Sequence, residues 1–428
     1  MTRLLRVSGA LLLGALGGCA GIFQHHMPAV PASYAVQSPV APAQLRVGSA
    51  ERDITPEVGG YMAGFSIART STAISTPLKL RALVIDTPSR RIAIVGIDNL
   101  GVMRQDADWL KGGVAGFANG DVFLCASHTH AGPDLIGLWG YYGFSTGRDP
   151  AYLTKLHDAL RQAVAEALAS AVPAHFEFGQ TRLPPAGLVK NSNRGGVFDR
   201  RLSVLTAKAD DDGRPVGTLL HMACHPEVLS RRNSLISADF VGALCEQWRA
   251  RGHGQAVFVN GALGAMVSPD WRERDPDGVA AFGAVACDLA EQALTEAAPL
   301  PVDAIEVRRR DVYLPLDTML FRLGRLFTVL PRELYSGNAR SSVGYLRLGA
   351  LEAIAVPGEM EPAMAAQLRR ELGKPDVLLF GLCDDEVGYL LRDRDAHDPE
   401  FAYERSMSPC TDAGERVRRA ISGVGYPR

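Results

Sequence analysis

Past residue 45, the chain alternates between short apolar runs and longer segments with apolar positions at helical spacing. Residues 78–86 and 91–98 are β-rich runs joined by a Pro-containing turn at 87–90, which predicts a hairpin. Residues 151–170 carry apolar positions at helical spacing and stop before Pro173, which predicts a helix. The remaining predicted elements are strands at 121–127, 174–182, 202–209, 216–224, 257–259, 304–314 and 376–382, a β pair within 345–356, and helices at 103–117, 239–251, 277–296, 361–372 and 412–421. This order predicts an α/β fold, a single catalytic domain with mixed β-sheets flanked by helices.

The first residues have the pattern of an export signal. Two arginines precede a short apolar run, residues 11–16, which is too short to span a bilayer. The run leads into Leu-Gly-Gly-Cys at 16–19, which resembles the lipobox of bacterial lipoproteins, and Ala20 resembles the outer-membrane sorting pattern. We therefore expect residues 1–18 to be removed and Cys19 to be lipidated, which would anchor the protein at the outer membrane of the bacterial cell envelope. The alternative is an ordinary secretory leader that contains a cysteine.

The segment after the cysteine differs in composition from the rest of the chain. Residues 20–45 are rich in Pro, Ala, Val and Ser and show no packing face, which predicts an extended tether. The expected organisation is a signal peptide at 1–18, a lipidated cysteine and tether at 19–45, and one domain at 46–428.

Composition and charge exclude several classes of protein. The 428 residues are 47% hydrophobic and 21% charged, which is typical of a chain that buries a core. Beyond the N-terminus no apolar run approaches the length of a membrane helix, so a polytopic membrane protein is not expected. With 45 basic and 47 acidic residues and no basic block, nucleic acid is not an expected partner.

Six cysteines follow Cys19, and none of them forms a CxxC motif. A structural zinc ribbon or a redox motif therefore has no support. Cys125, Cys245 and Cys287 lie in apolar runs and are expected to be buried thiols. Cys383 and Cys410 flank a loop-rich stretch, and their pairing is left open.

The sharpest candidate for chemistry is the segment Ser-His-Thr-His-Ala-Gly-Pro-Asp at 127–134, directly after a predicted strand. Side chains alternate in an extended segment, so His128 and His130 are expected to point the same way. Two imidazoles at the end of a strand suit Zn²⁺ and predict a metal site there. The alternative is that the rings only satisfy hydrogen bonds of the loop.

Other candidate ligands also follow predicted strands. His225 precedes a proline at a strand end and is a candidate third ligand, whereas His221 is expected to be buried or to support a ligand. Glu359 stands between an apolar strand and a helix, where a carboxylate can either bind a metal or stabilise the helix terminus. The acids at 384–386 lack the alternating spacing of a calcium loop and are expected to be solvated.

A serine nucleophile is disfavoured by spacing. Residues 143–147 match G-x-S-x-G, but that motif needs a helix to begin at the serine, and Arg148-Asp149-Pro150 intervenes. The metalloprotease motif H-E-x-x-H, the P-loop and G-x-G-x-x-G are absent from the sequence.

A set of motifs in chain order resembles the catalytic N-terminal domain of the neutral, non-lysosomal ceramidases over roughly residues 45–410. The motifs are Asp53-Ile54-Thr55-Pro56, residues 60–65, residues 127–133, Cys224-His225-Pro226, Asn260-Gly261-Ala262, Ser268-Pro269, residues 356–359 and Gly388-Tyr389. The resemblance implies one Zn²⁺ per chain held by His128, His225, Glu359 and Tyr389, with His130, Ser268 and Arg194 taking part in the reaction. The loop at 264–269 departs from the family pattern because it lacks an aspartate and is one residue longer.

The resemblance also implies an activity and its partners. We expect a zinc-dependent amidohydrolase that cleaves a ceramide-like N-acylated lipid into a fatty acid and an amine, and that meets the membrane through its lipid anchor. Two alternatives stay open. One is a zinc amidase or esterase on another acyl substrate, and the other is a non-catalytic lipoprotein that binds an envelope component.

Overall fold

The structure is a computed structural model that describes residues 24–41, 44–141, 145–193, 196–327 and 329–424. Cys19 and Arg194, which carry two of the predictions, lie outside the described residues. Within the described ranges, no helix combines the length and apolar character needed to cross a bilayer.

Strands and helices alternate along the chain, as the sequence predicts. The strands are β1 (Gln24–His25), β2 (Ser33–Pro39), β3 (Arg46–Asp53), β4 (Ala73–Ile74), β5 (Lys79–Asp86), β6 (Arg91–Ile97), β7 (Val122–Ala126), β8 (Val172–Arg182), β9 (Val189–Asn191), β10 (Arg201–Ala209), β11 (Pro215–Met222), β12 (Leu235–Ile236), β13 (Ala256–Asn260), β14 (Val267–Pro269), β15 (Ala298–Leu300), β16 (Ala304–Pro315), β17 (Leu334–Tyr335), β18 (Asn338–Leu348), β19 (Leu351–Ala355), β20 (Glu359–Met360), β21 (Leu378–Phe380) and β22 (Tyr389–Leu390). The helices are α1 (Arg104–Gly112), α2 (Pro150–Ala169), α3 (Asp239–Ala250), α4 (Pro276–Thr295), α5 (Met319–Leu326), α6 (Pro362–Leu372), α7 (Asp393–Ala396), α8 (Ala402–Ser406) and α9 (Ala413–Gly423), with 3₁₀ turns at Asn119–Asp121 and Pro399–Phe401.

Two mixed sheets pack against each other between two layers of helices. The nine-stranded sheet has the order β13-β11-β10-β8-β3-β5-β6-β7, with β15 on β8, and its parallel pairs are β11–β13 and β6–β7. The seven-stranded sheet is centred on the long antiparallel pair β16–β18. Helices α2, α3 and α4 cover the outer face of the first sheet, and α6 and α9 cover the outer face of the second. The predicted α/β class with mixed sheets and flanking helices is confirmed.

The apolar patterns of the strands follow from this layering. Along β5, Leu80 and Val84 pack under the helices, while Leu83 and Ile85 face the core between the sheets. Every residue of β7 is buried, because a strand covered on both faces is apolar throughout rather than alternating. Strand β7 therefore ends in the interior, and the histidine-rich segment begins there.

The predicted tether is wrong for residues 33–39. These residues form β2, an edge strand that pairs antiparallel with β16 from Ser33 to Pro39, and Val40 and Leu45 are buried next to it. An edge strand pairs through its main chain, so a Pro- and Ser-rich composition does not prevent it from joining the sheet. The folded body thus begins before residue 46.

Helix α5 was missed by the sequence analysis. Phe321 of this helix is buried, but Met319, Leu323 and Leu326 are exposed, so its apolar residues do not mark one inward face. The helix lies beside the cavity described next.

Candidate active site

The candidate ligands converge from four strand ends on one edge of the sandwich. His128 follows β7, which is the last strand at one end of the nine-stranded sheet. His225 follows β11, which is next to the last strand at the other end. Glu359 and Tyr389 face each other as direct partners in the short parallel pair β20–β22. Segments far apart in sequence are therefore brought to one point by the sheets, as the strand-end prediction requires.

Asn260, the last residue of β13, joins the two histidine segments. Its side-chain amide donates hydrogen bonds to the carbonyls of Ser127 (2.9 Å) and Cys224 (2.8 Å), and its Oδ1 accepts from the Cys224 amide at 3.0 Å. The residue is fully buried, so these bonds form away from water. Asn260 thereby fixes the main chain immediately before His128 and His225.

The segment that carries the histidine pair is a turn rather than an extended strand. His128 has a φ of 72°, in the left-handed region that non-glycine residues seldom adopt. The two histidines were expected to point the same way because side chains alternate along a strand, and that reason is wrong. The rings nevertheless meet, with centroids 5.0 Å apart, and each ring also lies close to His225, at 5.0 and 5.6 Å.

Main-chain carbonyls orient two of the three histidines. Nδ1 of His128 lies 2.7 Å from the carbonyl of Leu100, and Nδ1 of His225 lies 2.8 Å from that of Val267. A carbonyl only accepts, so each Nδ1 carries the hydrogen and each Nε2 keeps its lone pair. This is the arrangement in which histidines bind metals in proteins.

The Nε2 atoms of both histidines face the carboxylate of Glu359. Oε2 of Glu359 is 3.0 Å from Nε2 of His225, and Oε1 is 3.5 Å from Nε2 of His128. The carboxylate oxygens and the two Nε2 atoms are then all acceptors. A proton or a cation between them is needed to make these contacts favourable. The nitrogen and oxygen donors fit a divalent ion such as Zn²⁺. The ring nitrogens of the three histidines include ligand atoms that all lie within 4.8 Å of one another.

The ionisable groups of this cluster shift one another's pKa values. Burial alone would raise the pKa of Glu359, but His128 and His225 hold it below its usual range. Burial alone would lower the pKa of His225, but the hydrogen bond and charge of Glu359 raise it. Burial also raises the pKa of Tyr389 well above its usual value, and the nearby Glu359, with which Tyr389 shares a hydrogen bond, adds to this effect.

His130 differs from the other two histidines because neither of its ring nitrogens has a hydrogen-bond partner among the described residues. Its Nδ1 lies 3.8 Å from the carboxylate of Glu227, and its ring packs edge-on against Phe65 with centroids 4.7 Å apart. Burial, followed by the charges of His128 and His225, lowers the pKa of His130 well below its usual value. The ring is therefore held neutral, with a nitrogen available for proton transfer.

The environment of His130 is tightly shaped. Gly64 adopts a φ of 98°, and a Cβ built on it would lie 2.5 Å from Cγ of His130. Arg69 donates to the carbonyls of His130 (2.6 Å) and Ala63 (2.7 Å) and lies over the ring of Phe65. Only glycine leaves room for the imidazole at this point.

An apolar cavity opens onto the cluster. His128, His130, Glu359 and Tyr389 line it together with Glu386. Its apolar wall is formed by Leu100, Ile136, Leu138, Trp139 and Phe321. Such a wall is suited to a hydrocarbon chain.

Other predicted residues take different places. Ser268 lies on β14 opposite Lys190, next to Val267, whose carbonyl holds His225, and it is not among the described residues that line the cavity. His221 is buried away from the cluster and donates to the Leu379 carbonyl at 2.8 Å, and burial lowers its pKa to about 4.

The acids at 384–386 are buried, so the expectation of a solvated loop is wrong. Distant cations explain the difference. Asp384 pairs with Lys111 at 2.9 Å and with Arg309 at 2.5 Å, and Asp385 pairs with Arg332 at 2.8 Å. Local sequence carries no signal of these partners.

The cysteines and the serine motif add no second site. All six described cysteines are buried and free, and Cys383 lies opposite Cys125 across an isolated bridge rather than bonded to Cys410. Helix α2 begins at Pro150 rather than at Ser145, as the spacing argument predicts.

Two residues of the site were missed as functional candidates. Asn260 belongs to one of the family motifs but has no predicted role, although an amide at the end of an apolar strand indicates a buried polar role. Glu227, two residues after His225, had no distinctive spacing, and only the fold brings it to His130.

Together these features define an α/β protein with a candidate metal site at its strand ends, beside an apolar cavity. The chain belongs to the neutral/alkaline non-lysosomal ceramidase family, whose N-terminal model matches residues 45–287. The match covers more than half of the chain and confirms the resemblance found in the sequence.

The relatives are proteins called neutral ceramidase from distant organisms. The one from Mycobacterium tuberculosis is 28% identical over 265 residues, covering 56% of this chain and 39% of that protein. The one from Pseudomonas aeruginosa is 27% identical over 235 residues, covering 50% and 35% respectively. The one from Oryza sativa subsp. japonica is 28% identical over 225 residues, covering 47% and 29%. The matched segments thus span well under half of these curated relatives.

Solved structures agree in fold. The crystal structure of the neutral ceramidase from Pseudomonas aeruginosa superposes with a TM-score of 0.72 at 19% identity, covering 89% of this chain and 75% of that one. A ceramidase complexed with C2 gives a TM-score of 0.71 at 18% identity, covering 89% and 76%. This chain therefore shares its fold with both solved structures.

Proposed function

We propose that this protein is a zinc-dependent amidohydrolase that cleaves the amide bond of a ceramide-like N-acylated lipid, releasing a fatty acid and an amine. The observation that carries this proposal is that Nε2 of His128 and of His225 face the carboxylate of Glu359, beside an apolar cavity that His128 and Glu359 line. The relatives named neutral ceramidases support the choice of substrate class.

The zinc ion would be held by His128, His225, Glu359 and Tyr389. When bound, zinc supplies a Lewis acid that polarises a carbonyl and lowers the pKa of water. The carbonyl hydrogen bonds to Nδ1 of His128 and His225 keep both Nε2 lone pairs directed at the ion.

His130 would carry the proton to the departing amine. Its ring lies beside the two ligand histidines, and its nitrogens have no hydrogen-bond partner among the described residues. A neutral imidazole can take a proton and then release it, and Glu227 at 3.8 Å would stabilise the ring while it is charged. Ser268 and Arg194 would contact the reacting group, a role that rests on the family resemblance.

The protein would meet its substrate at a membrane. Cys19 would carry the lipid anchor in the bacterial cell envelope, at the outer membrane. Since β1 and β2 already pair with the second sheet from Gln24 and from Ser33, the tether would be shorter than the one expected from the sequence. The exposed side chains of Met319, Leu323 and Leu326 on α5, whose Phe321 lines the cavity, support an approach to lipid on this side.

The deciding experiment screens the purified protein against N-acyl sphingosines, N-acyl amino acids, acyl esters and N-acyl ethanolamines, with and without a chelator. Chelator-sensitive release of fatty acid from an N-acyl sphingosine, restored by Zn²⁺, is the expected result. Turnover of only another acyl compound would make the protein a different amidase or esterase. No metal-dependent turnover of any compound would leave a binding lipoprotein and refute the proposal.

A further inference from the structure

Glu386 is a buried acid that lines the cavity but has no part in the proposed metal site. It is only 7% exposed and stands in the loop between β21 and β22, on the cavity wall shared with Glu359 and Tyr389. The group of described residues whose ligand atoms lie within 4.8 Å of one another contains the three histidines and not Glu386.

The position of Glu386 is fixed on several sides. Its main-chain amide donates to Oδ1 of Asp385 at 2.9 Å, and its carbonyl accepts from Arg332, which also pairs with Asp385. Its Oε1 accepts from the Gly388 amide at 2.7 Å. Gly101 packs so closely that a Cβ built on it would lie 2.4 Å from Cβ of Glu386. The main chain at residue 386 is therefore fixed, and the side chain cannot turn away without breaking its bond to the Gly388 amide.

One oxygen of this carboxyl group is left without a partner. Oε2 of Glu386 is buried and makes no hydrogen bond to any described residue. A buried polar atom without a partner costs about 1–3 kcal/mol, and such a cost is retained where a ligand supplies the missing bond. The cavity is the space from which that ligand would come.

The chemistry of the carboxyl group selects the kind of ligand. Burial, followed by the charge of Glu359, raises the pKa of Glu386 well above its usual value. A hydroxyl group can both donate and accept, so it can pair with Oε2 whichever atom carries the proton.

We propose that Glu386 is the specificity-determining residue that hydrogen-bonds a hydroxyl group on the amine-bearing half of the substrate, beside the amide bond that is cleaved. This inference rests on the proposed function. It assigns the apolar lining of the cavity to hydrocarbon and Glu386 to the hydroxylated end of the same molecule.

The test compares kcat/KM of the zinc-loaded, full-length protein on N-hexanoyl sphingosine and on its 1-deoxy and 3-deoxy analogues. The variants are Glu386→Leu, which removes the hydrogen bond, and Glu386→Gln, which keeps its shape and a donor. Gly101→Ala displaces the same side chain without changing it, and Glu296→Gln serves as a remote, exposed control. Zinc content and melting temperature are measured for every protein.

We expect the wild type to prefer the parent compound over one deoxy analogue by about 10- to 100-fold, since one side of a buried hydrogen bond is lost. In Glu386→Leu and Gly101→Ala this ratio should fall to within about threefold of unity, while Glu386→Gln and Glu296→Gln keep most of it. An unchanged ratio in both disruptive variants overturns the inference. Loss of zinc from Glu386→Gln would overturn it as well, because the residue would then be a metal ligand.

The two proposals fail in different ways. If the wild type hydrolyses none of the three compounds, the proposed function fails for this substrate class, and the role of Glu386 fails with it. If the wild type hydrolyses all three at similar rates, the proposed function stands and only the inference about Glu386 is refuted.

Discussion

Glu359 and His225 meet through acceptor atoms: Oε2 of the glutamate lies 3.0 Å from Nε2 of the histidine, whose other nitrogen is committed to a carbonyl. His128 repeats the arrangement on the second oxygen of the same carboxylate, at 3.5 Å. Removing either imidazole therefore removes one of the two ring nitrogens that face this carboxylate.

We expect His128→Ala and His225→Ala to reduce bound zinc to well below one ion per chain. Elemental analysis of the purified proteins checks this, with His175→Ala as a control because His175 is exposed and pairs with Asp210 away from the site. Stoichiometric zinc in both ligand variants would show that the ion, if any, binds elsewhere.

For His130→Ala we expect normal zinc content and a fall in kcat of about 10²- to 10⁴-fold, the contribution of a proton-transferring side chain. Glu227→Gln should cause a smaller fall, because Glu227 only faces the ring at 3.8 Å. Single-turnover kinetics with zinc-loaded protein separate these effects from binding. Loss of zinc from His130→Ala would instead make His130 a ligand.

Gly64→Ala should disturb His130 without touching any ligand. A Cβ at position 64 would overlap the imidazole, and the φ of 98° is unfavourable for alanine, so we expect at least a tenfold fall in kcat with zinc retained. Gly60→Ala is the matched control in the same loop, since its nearest contact would be 4.0 Å away. Equal rates for the two variants would contradict the role of Gly64.

His221 gives a prediction about pH and stability. Its pKa falls to about 4 in the folded state, mainly through burial, against about 6.5 in the unfolded chain. Between these values the unfolded chain binds more protons, so stability is present above pH 6.5 and is lost as pH falls toward 4, by about 3 kcal/mol.

Denaturant unfolding of wild type and His221→Gln from pH 7 to 4 measures this contribution. The amide of glutamine extends as far as Nε2 of histidine and can donate to the Leu379 carbonyl, but it does not titrate, so the variant should lose less stability on acidification. Parallel curves for the two proteins would show that His221 makes no such contribution.

The anchor is tested with Cys19→Ser exported by an ordinary secretory leader. We expect the soluble form to lose rate on lipid embedded in envelope membranes but not on detergent-dispersed lipid, because anchoring raises the effective substrate concentration without new contacts. Equal rates of both proteins on both substrates would refute a role for the anchor.

The sequence predicted those elements whose buried residues follow a regular pattern along the chain. Strand β7 and helix α2 stand out as a continuous apolar run and as regular helical spacing, respectively. Strand β2 was not predicted because it pairs with the sheet only along one side, and helix α5 was not predicted because three of its five apolar side chains are exposed. Composition does not report main-chain pairing or an exposed apolar face.

The candidate site was predictable to the extent that strand ends carry it. His128, His225, Glu359 and Tyr389 each follow or begin a strand, so the fold brings them together. The burial of Asp384 and the meeting of Glu227 with His130 depend on residues distant in sequence, such as Lys111. Pairing between distant charges cannot be derived from one sequence without its fold.

The pairing of Glu359 with Tyr389 has a consequence for folding as well. Residues 360–388, which contain α6, β21 and the acidic loop, form a closed segment of chain whose two ends meet at the two-residue pair β20–β22. An ion bound by both Glu359 and Tyr389 would cross-link the two ends of this segment and would disfavour its local unfolding. Occupancy of the site would then control how often this part of the chain opens, and hydrogen exchange in α6 would report zinc binding without any substrate present.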